Sequence, residues 1–277
     1  MNSLQQYVDA IIVINLARRQ DRWLHCRFEL QSIGIHEEEI LRFDAYDKPA
    51  NSGNRGCTES HRGVLEWIAR EKWERVLVCE DDIAVRPEYR DHFNDTFEQI
   101  AREIPADAKI TYLGGGYANN PIRRHSPHLI EISRMLTTSS YLIGWKMARE
   151  MAPYISGVGP IDNLFHGFTE KGHCYCSQPR LFVQYTSLSD LTDREADYGP
   201  SMCDTRHEEM LMEGTWNAAG EFITTLTRRE LTIANDMVGD TAIIDGQQYK
   251  VRLARAINPS NPNGPWYRGQ AMALVLE

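Results

Sequence analysis

The apolar run Val76-Leu77-Val78-Cys79 is followed at once by Glu80, Asp81 and Asp82. Three adjacent carboxylates at the end of a buried element repel one another unless positive charge joins them. Oxygen ligands of this kind suit a hard divalent cation, Mg²⁺ or Mn²⁺. In an extended segment Glu80 and Asp82 point to one side and Asp81 to the other. Glu80 and Asp82 can therefore address one cation while Asp81 faces a neighbouring backbone or an arginine. The competing reading is a solvated acidic turn, or carboxylates feeding the N-terminus of the next helix. The surrounding elements have to decide between them.

Those elements alternate between short apolar runs and longer amphipathic segments, the pattern of an α/β fold. Strands are predicted over 10–16, 40–45, 75–79 and 109–113, and helices over 20–33, 59–71 and 89–104, the last stopped before Pro105. After Arg75 the 75–79 strand is apolar throughout, so it is predicted to be covered on both faces. Further strands fall at 129–133 and 139–143, and a helix at 145–155 precedes the Gly/Pro loop Ser156-Gly-Val-Gly-Pro-Ile-Asp-Asn163. In open α/β sheets ligands bind at the carboxyl ends of the strands, where Glu80–Asp82 sit. Residues 191–214 are polar and read as a connection. The pieces ITTLT, TAIIDG, YKVRLA and AMALVLE within 215–277 read as a small β-rich extension.

The chain has 277 residues, enough for one large domain with an appendage, and a formal net charge of −9 that argues against a nucleic-acid partner. Arg123, Arg124, His125 and His128 form one local basic stretch. No apolar run reaches the ~18 residues of a membrane span, and the start has no basic, then apolar, leader pattern. These features lead to the expectation of a cytoplasmic protein. Cys174 and Cys176 alternate on a strand. A zinc site with His166 or His173 is weighed against buried reduced thiols, and the thiols are the simpler reading. Cys57 reads as a small packing residue.

Other motifs accompany the acidic strand end in order: Val13-Ile-Asn-Leu-Ala-Arg-Arg-Gln-Asp-Arg22, Arg42-Phe-Asp-Ala-Tyr46 and Gly56-Cys-Thr-Glu-Ser-His61 before it; Tyr112-Leu-Gly-Gly-Gly116, Ser140-Tyr-Leu-Ile143, Pro160-Ile-Asp162, and Gln184 with Ser187-Leu-Ser-Asp190 after it. Together they resemble family 25 of the glycosyltransferases, the group of lipopolysaccharide galactosyltransferases and the collagen galactosyltransferase domain. The resemblance covers about residues 11–190 and leaves 191–277 without a counterpart.

The resemblance implies a GT-A fold for 1–190, a Rossmann-like mixed and mostly parallel sheet flanked by helices. It also implies a Mn²⁺-dependent transfer from a UDP-linked hexose to a hydroxyl of a glycan, protein or other biopolymer acceptor. Glu80 and Asp82 are then the metal ligands. Asn15, Leu16, Arg18, Arg22, Ser60, His61, Asp81, Gly114 and Gly115 are the candidates for holding the donor, with arginines bridging phosphate oxygens and glycines admitting close approach. Ser60 and His61 near a helix start also suit capping or packing, and the glycines a plain turn. Asp162 is the candidate general base of an inverting displacement, with helix capping as its rival role. Asp190 is the reserve candidate for base or further metal contact. Family members acting on collagen carry secretory signals, so a bacterial or viral cytosolic enzyme is the expectation. A catalytically silent glycan-binding or scaffold protein on the same fold, and a metal-dependent phosphoesterase, are the alternatives.

Overall fold

The computed structural model describes residues 3–47, 54–115, 117–118, 121–132, 135–157 and 159–190, and beyond them the backbone of several strands. In chain order the helices are α1 (Ser3–Tyr7), α2 (Gln20–Ser32), α3 (Arg55–Glu71), α4 (Phe93–Glu103), α5 (Trp145–Met151) and α6 (Ile161–Thr169). The strands up to the acidic cluster and just past it are β1 (Ala10–Asn15), β2 (Ile40–Asp44), β3 (Val76–Glu80) and β4 (Ile83–Val85). Next come β5 (Ile110–Tyr112), β6 (Tyr117–Ala118), β7 (Pro121–Ser126), β8 (Leu129–Ile132), β9 (Met135–Leu136) and β10 (Ser140–Ile143). They are followed by β11 (Cys174–Ser177), β12 (Phe182–Gln184), β13 (Ser187–Ser189) and β14 (Arg194–Ala196).

The main sheet has eight strands in the order β2-β1-β3-β10-β5-β11-β8-β7. Strand β1 runs parallel to β2 and β3, and β5 parallel to β11, while β10 and β8 run against their neighbours. The sheet is thus mixed and mostly parallel in direction, with helices on both faces, the α/β class expected from the alternating pattern. Strands β8 and β10, successive in the predicted pattern, do not pair: β5 and β11 lie between them. The polar stretch at 121–126 forms the edge strand β7, where only one neighbour has to be satisfied.

Pleating sorts the side chains. Ala10, Ile12 and Ile14 with Val76 and Val78 pack in one core with Val64, Leu65 and Ile68 of α3, Met147 and Met151 of α5, and Phe165 of α6. Ile11, Val13, Leu77 and Cys79 pack in a second core with Trp23, Cys26 and Leu30 of α2 and Phe93, Phe97 and Ile100 of α4. Val76, Leu77, Val78 and Cys79 are all fully buried, as a doubly covered strand requires. Fully burying one such side chain is worth about 1.5–3 kcal/mol, so this register is strongly fixed.

Five further strands, β15 (Thr215–Trp216), β16 (Glu221–Leu226), β17 (Thr241–Ile244), β18 (Gln247–Arg252) and β19 (Gln270–Leu276), form a separate antiparallel sheet. Its order is β15-β16-β19-β18-β17. The turn-rich stretch 258–265 lies outside the described residues, and within 191–214 only β14 is described. No helix among the described residues is long and apolar enough to cross a membrane.

Gly144 caps α5 where the chain passes tightly under the segment before β3: a Cβ there would stand 2.4 Å from the Glu74 carbonyl oxygen. Gly167, on an open face of α6, would meet nothing within 4 Å. Gly144→Ala is therefore expected to destabilise the protein by about 1–3 kcal/mol. Gly167→Ala should leave stability unchanged or raise it by about 0.5–1 kcal/mol. Equal melting temperatures for the two variants would contradict this packing.

Candidate functional site

The pleat of β3 divides the acidic triplet. Glu80 continues the face of Val76 and Val78 and turns toward α3; Asp81 continues the face of Leu77 and Cys79 and turns toward α2. The chain then turns at Asp81-Asp82 before β4 begins. Pairing of β4 with β12 sets Gln184 opposite Ile83, and the Tyr185 N–H donates to the Asp82 carbonyl at 3.0 Å. Gln184 Nε2 stands 3.4 Å from Glu80 Oε2 and 3.0 Å from Asp82 Oδ1. The two carboxylates chosen from sequence as cation ligands thus converge on one point, despite the turn that interrupts simple alternation.

Asp81 is held elsewhere. Asn15 Nδ2, at the carboxyl end of β1, donates to Asp81 Oδ2 at 2.6 Å, and Arg22 Nη1 donates to Asp81 Oδ1 at 3.0 Å. The same Arg22 nitrogen lies 3.3 Å from Asp82 Oδ2. Its other arm donates to Ser187 Oγ at 2.8 Å and to the Leu188 carbonyl at 2.9 Å. Asn15 and Arg22 are both buried, and the loop after β1 is folded back on them: Asn15 Nδ2 also donates to the Arg19 carbonyl at 3.1 Å, and Arg19 N–H to the Leu16 carbonyl at 2.8 Å. Arg22 is thus the counter-charge of the triplet and also a tie to β13.

Glu80 Oε1 has its own partners. The Thr138 hydroxyl donates to it at 2.8 Å, and His61 Nε2 lies 3.2 Å away. His61 Nδ1 is 3.0 Å from the Tyr141 hydroxyl. An ionised carboxylate only accepts, so Nε2 carries the proton facing Glu80, and the Tyr141 hydroxyl donates to Nδ1. His61 is completely buried behind Glu80, and its ring reaches the cluster through that carboxylate.

Charges follow this geometry. Burial opposes ionisation of Glu80, but hydrogen bonds from His61 and Thr138 and the Arg22 charge hold its carboxyl below the usual range. Asp82 is pushed up to about 7 by burial and by the neighbouring charge of Glu80, against the pull of Arg22. Burial also raises Asp81, despite Arg22 and Asn15. One guanidinium does not offset three carboxylates, and the deficit falls on Asp82. The donor set and the uncompensated charge fit a hard divalent cation at Glu80 and Asp82.

Arg18 Nη1 donates to Asp190 Oδ1 at 2.7 Å, and Arg18 Nε to Asp47 at 2.8 Å; Arg19 pairs with Asp190 Oδ2 and with Asp21. Asp190 is therefore clasped by two guanidiniums at the rim. Ser60 is buried; it accepts from Tyr46 N–H at 2.9 Å and donates to the Gly56 carbonyl at 2.7 Å. A Cβ on Gly114 would stand 2.6 Å from Ser140 Oγ and 2.7 Å from the Phe182 carbonyl, and one on Gly115 would meet the Met135 sulfur at 2.7 Å. The close approach these two glycines allow is to the protein's own chain. Leu16 is half-buried at the loop start.

Asp162 lies inside the first turn of α6, one residue past its start at Ile161, and not at the cap position, which is Pro160; it accepts from Asn163 N–H at 2.8 Å and from Thr137 N–H at 3.4 Å. Thr137 adopts φ +67°, rare for a β-branched residue, directly beside Thr138. One short loop thus touches both Asp162 and Glu80. Sequence reasoning gave Thr138 no role, took Tyr141 only as part of a motif and Cys57 only as a packing residue, because their partners at Glu80 and His61 are set by the fold. Cys174 and Cys176 are buried with no metal cluster around them among the described residues; His166 Nε2 meets the Met135 carbonyl and His173 pairs with Asp107.

No family model matches the chain. It is 24% identical over 170 residues, 52% of this chain, to the Bos taurus protein named "Probable inactive glycosyltransferase 25 family member 3". The match falls on the family whose motifs the chain resembles. It spans only 28% of that relative's length. Among solved structures, a glycosyltransferase involved in glycosylation of the PBCV-1 major capsid overlaps 52% of this chain and 64% of its own, at 9% identity and TM-score 0.33. A putative glucose-1-phosphate thymidylyltransferase from Bacillus anthracis overlaps 66% and 73%, at 11% identity and TM-score 0.36.

Asp82 binds its proton more tightly in the folded chain than in the unfolded one. Its contribution to stability is therefore full at acid pH and fades as pH rises from about 4 through about 7. Asp82→Asn is expected to stabilise the cation-free protein at pH 8 by roughly 2 kcal/mol, a rise of a few degrees in melting temperature. At pH 5 the gain should be much smaller. An unchanged or lower melting temperature at pH 8 would contradict the charge imbalance.

Proposed function

We propose that the chain is a metal-dependent, inverting glycosyltransferase that moves a hexose from a UDP-linked donor to a hydroxyl of a glycan, protein or other biopolymer. The observation that carries the reading is the convergence of Glu80 Oε2 and Asp82 Oδ1 on Gln184 at the carboxyl end of β3, with charge left uncompensated. The family-25 similarity supports it independently.

A Mn²⁺ or Mg²⁺ held by Glu80 and Asp82 would neutralise charge on a leaving diphosphate. The chain's own residues supply the rest. Arg22, fixed by Asp81, holds Asp82 in place from the α2 side. Arg18 and Arg19 at the mouth can exchange the Asp190 carboxylate for phosphate oxygens, since both are anions of similar geometry. Asp162 would take the acceptor's proton as its oxygen attacks the anomeric carbon and the sugar–phosphate bond breaks. Asp190, with both oxygens engaged by arginines, is less free to accept a proton from an acceptor.

A catalytically silent glycan-binding protein is the second reading, favoured by the word "inactive" in the name of the bovine relative. Turnover of UDP-galactose, UDP-glucose and UDP-N-acetylglucosamine with and without Mn²⁺ separates the two. Mn²⁺-dependent hydrolysis or transfer is expected with at least one donor, and Asp82→Ala should abolish it. Asp162→Asn should lower kcat by about 10²–10⁴-fold, with little change in donor KM. Binding of a donor without any turnover would favour the silent reading. No binding by well-folded protein would end both the transferase and the donor assignment.

A further inference from the structure

Glu80 has two oxygens in two different surroundings. Oε2 faces Gln184 and Asp82, the proposed hard-cation pair, whereas Oε1 faces His61 and Thr138 on the α3 side. Cys57 stands one helical turn before His61 on α3, so both side chains lie on the same stripe, the stripe that packs toward the end of β3. Cys57 Sγ, a ring nitrogen of His61 and a carboxylate oxygen of Glu80 all lie within 4.8 Å of one another. Sulfur, imidazole nitrogen and carboxylate oxygen make the mixed donor set of a zinc-class cation and a poor one for Mg²⁺.

We propose that Cys57, His61 and Glu80 form a second cation site, of zinc class, behind the carboxylate pair, with Glu80 bridging the two. The parts that usually surround such a site are in place. The Tyr141 hydroxyl holds the far nitrogen of His61 at 3.0 Å, and the Thr138 hydroxyl holds the ligating oxygen of Glu80 at 2.8 Å. The His61–Glu80 separation of 3.2 Å is already close to the ~3.5 Å edge of a tetrahedral zinc site, and Cys57 Sγ lies within 4.8 Å of both groups. Binding balances as follows. The Cys57 thiol loses one proton to solvent, and the His61 ring proton moves from Nε2 to Nδ1, where it is donated to the Tyr141 oxygen. One thiolate, one neutral imidazole and one carboxylate then leave a divalent ion electrically neutral, which suits a buried position. Seated there, the ion fixes Glu80 with Oε2 turned to Asp82. The site does not depend on the transferase reading, because its ligands can be seen without any turnover.

The test uses the full chain, freed of metal and titrated with Co²⁺ as a spectroscopic stand-in for zinc. One equivalent of Co²⁺ is expected to give a thiolate-to-cobalt charge-transfer band and tetrahedral ligand-field absorption, both erased by Zn²⁺ but not by Mg²⁺. Cys57→Ser should lose the charge-transfer band, Cys174→Ala should keep it, and Asp82→Asn should keep it too. Circular dichroism confirms that each variant is folded. Bound Co²⁺ without a thiolate band, or no bound Co²⁺, in folded parent protein would overturn the proposal. A band that survives Cys57→Ser would overturn it as well, since another cysteine would then be the ligand. Loss of the band in folded Asp82→Asn would place the ion at the outer carboxylate pair instead and equally sink the inner site.

Discussion

Three carboxylates at the buried end of β3 share one fully charged partner, Arg22, and that shortage governs the arrangement around them. Among the described residues, the other groups that approach the triplet are neutral donors: Asn15 on Asp81, Thr138 on Glu80, Gln184 on Asp82. His61 adds a ring N–H to Glu80. Neutral donors orient a carboxylate without cancelling its charge, so the cluster remains a place of negative potential in a low-dielectric setting. Removing Arg22 would leave that charge still less compensated, and it would also release the 187–188 segment that Arg22 holds. A single side chain thus links the electrostatics of the site to the closure of its wall.

Division of labour in the triplet follows from the pleat. Because the β3 register is fixed by apolar residues on both faces, Glu80 has to face α3 and Asp81 has to face α2. Asp81 is consumed in positioning, by anchoring Arg22 and Asn15. Glu80 is anchored by His61 and Thr138 through one oxygen, which leaves the other for the shared point at Gln184. Asp82, past the end of the strand, is the least satisfied and carries the raised proton affinity. The loop 137–138 joins this group to Asp162, and Thr137 adopts a positive φ between the two contacts.

Much of this was readable from the chain. The apolar run before Glu80 announced a doubly covered strand, and strand-end chemistry followed from the α/β pattern. The facing of Glu80 and Asp82 was read from simple alternation. A turn intervenes, but β12 restores the same convergence through Gln184. Helix α3 begins at Arg55, four residues earlier than periodicity alone indicated, since Gly56 and Cys57 carry no helical signal of their own; this places Cys57 one turn from His61. Ser60 and His61 near a helix start suit either a ligand or packing, and the structure buries both. Gly114 and Gly115 suit either close approach of a ligand or a plain turn, and the neighbours they admit are Ser140, Phe182 and Met135. In each case a polar or small residue looks the same in sequence whether its partner is a ligand or a neighbouring strand. Only strand order, with β10 inserted between β3 and β5, decides which.

The claim on which the account turns is that Glu80 and Asp82 hold a divalent cation. Electron paramagnetic resonance of Mn²⁺ tests it directly, because the sharp signal of the free ion broadens away when the ion is bound. Titrating metal-free protein into Mn²⁺ should remove the free signal in the parent, and Asp82→Asn should restore it in a protein that remains folded. A free-ion signal undiminished by well-folded parent protein, with and without UDP present, would contradict the account.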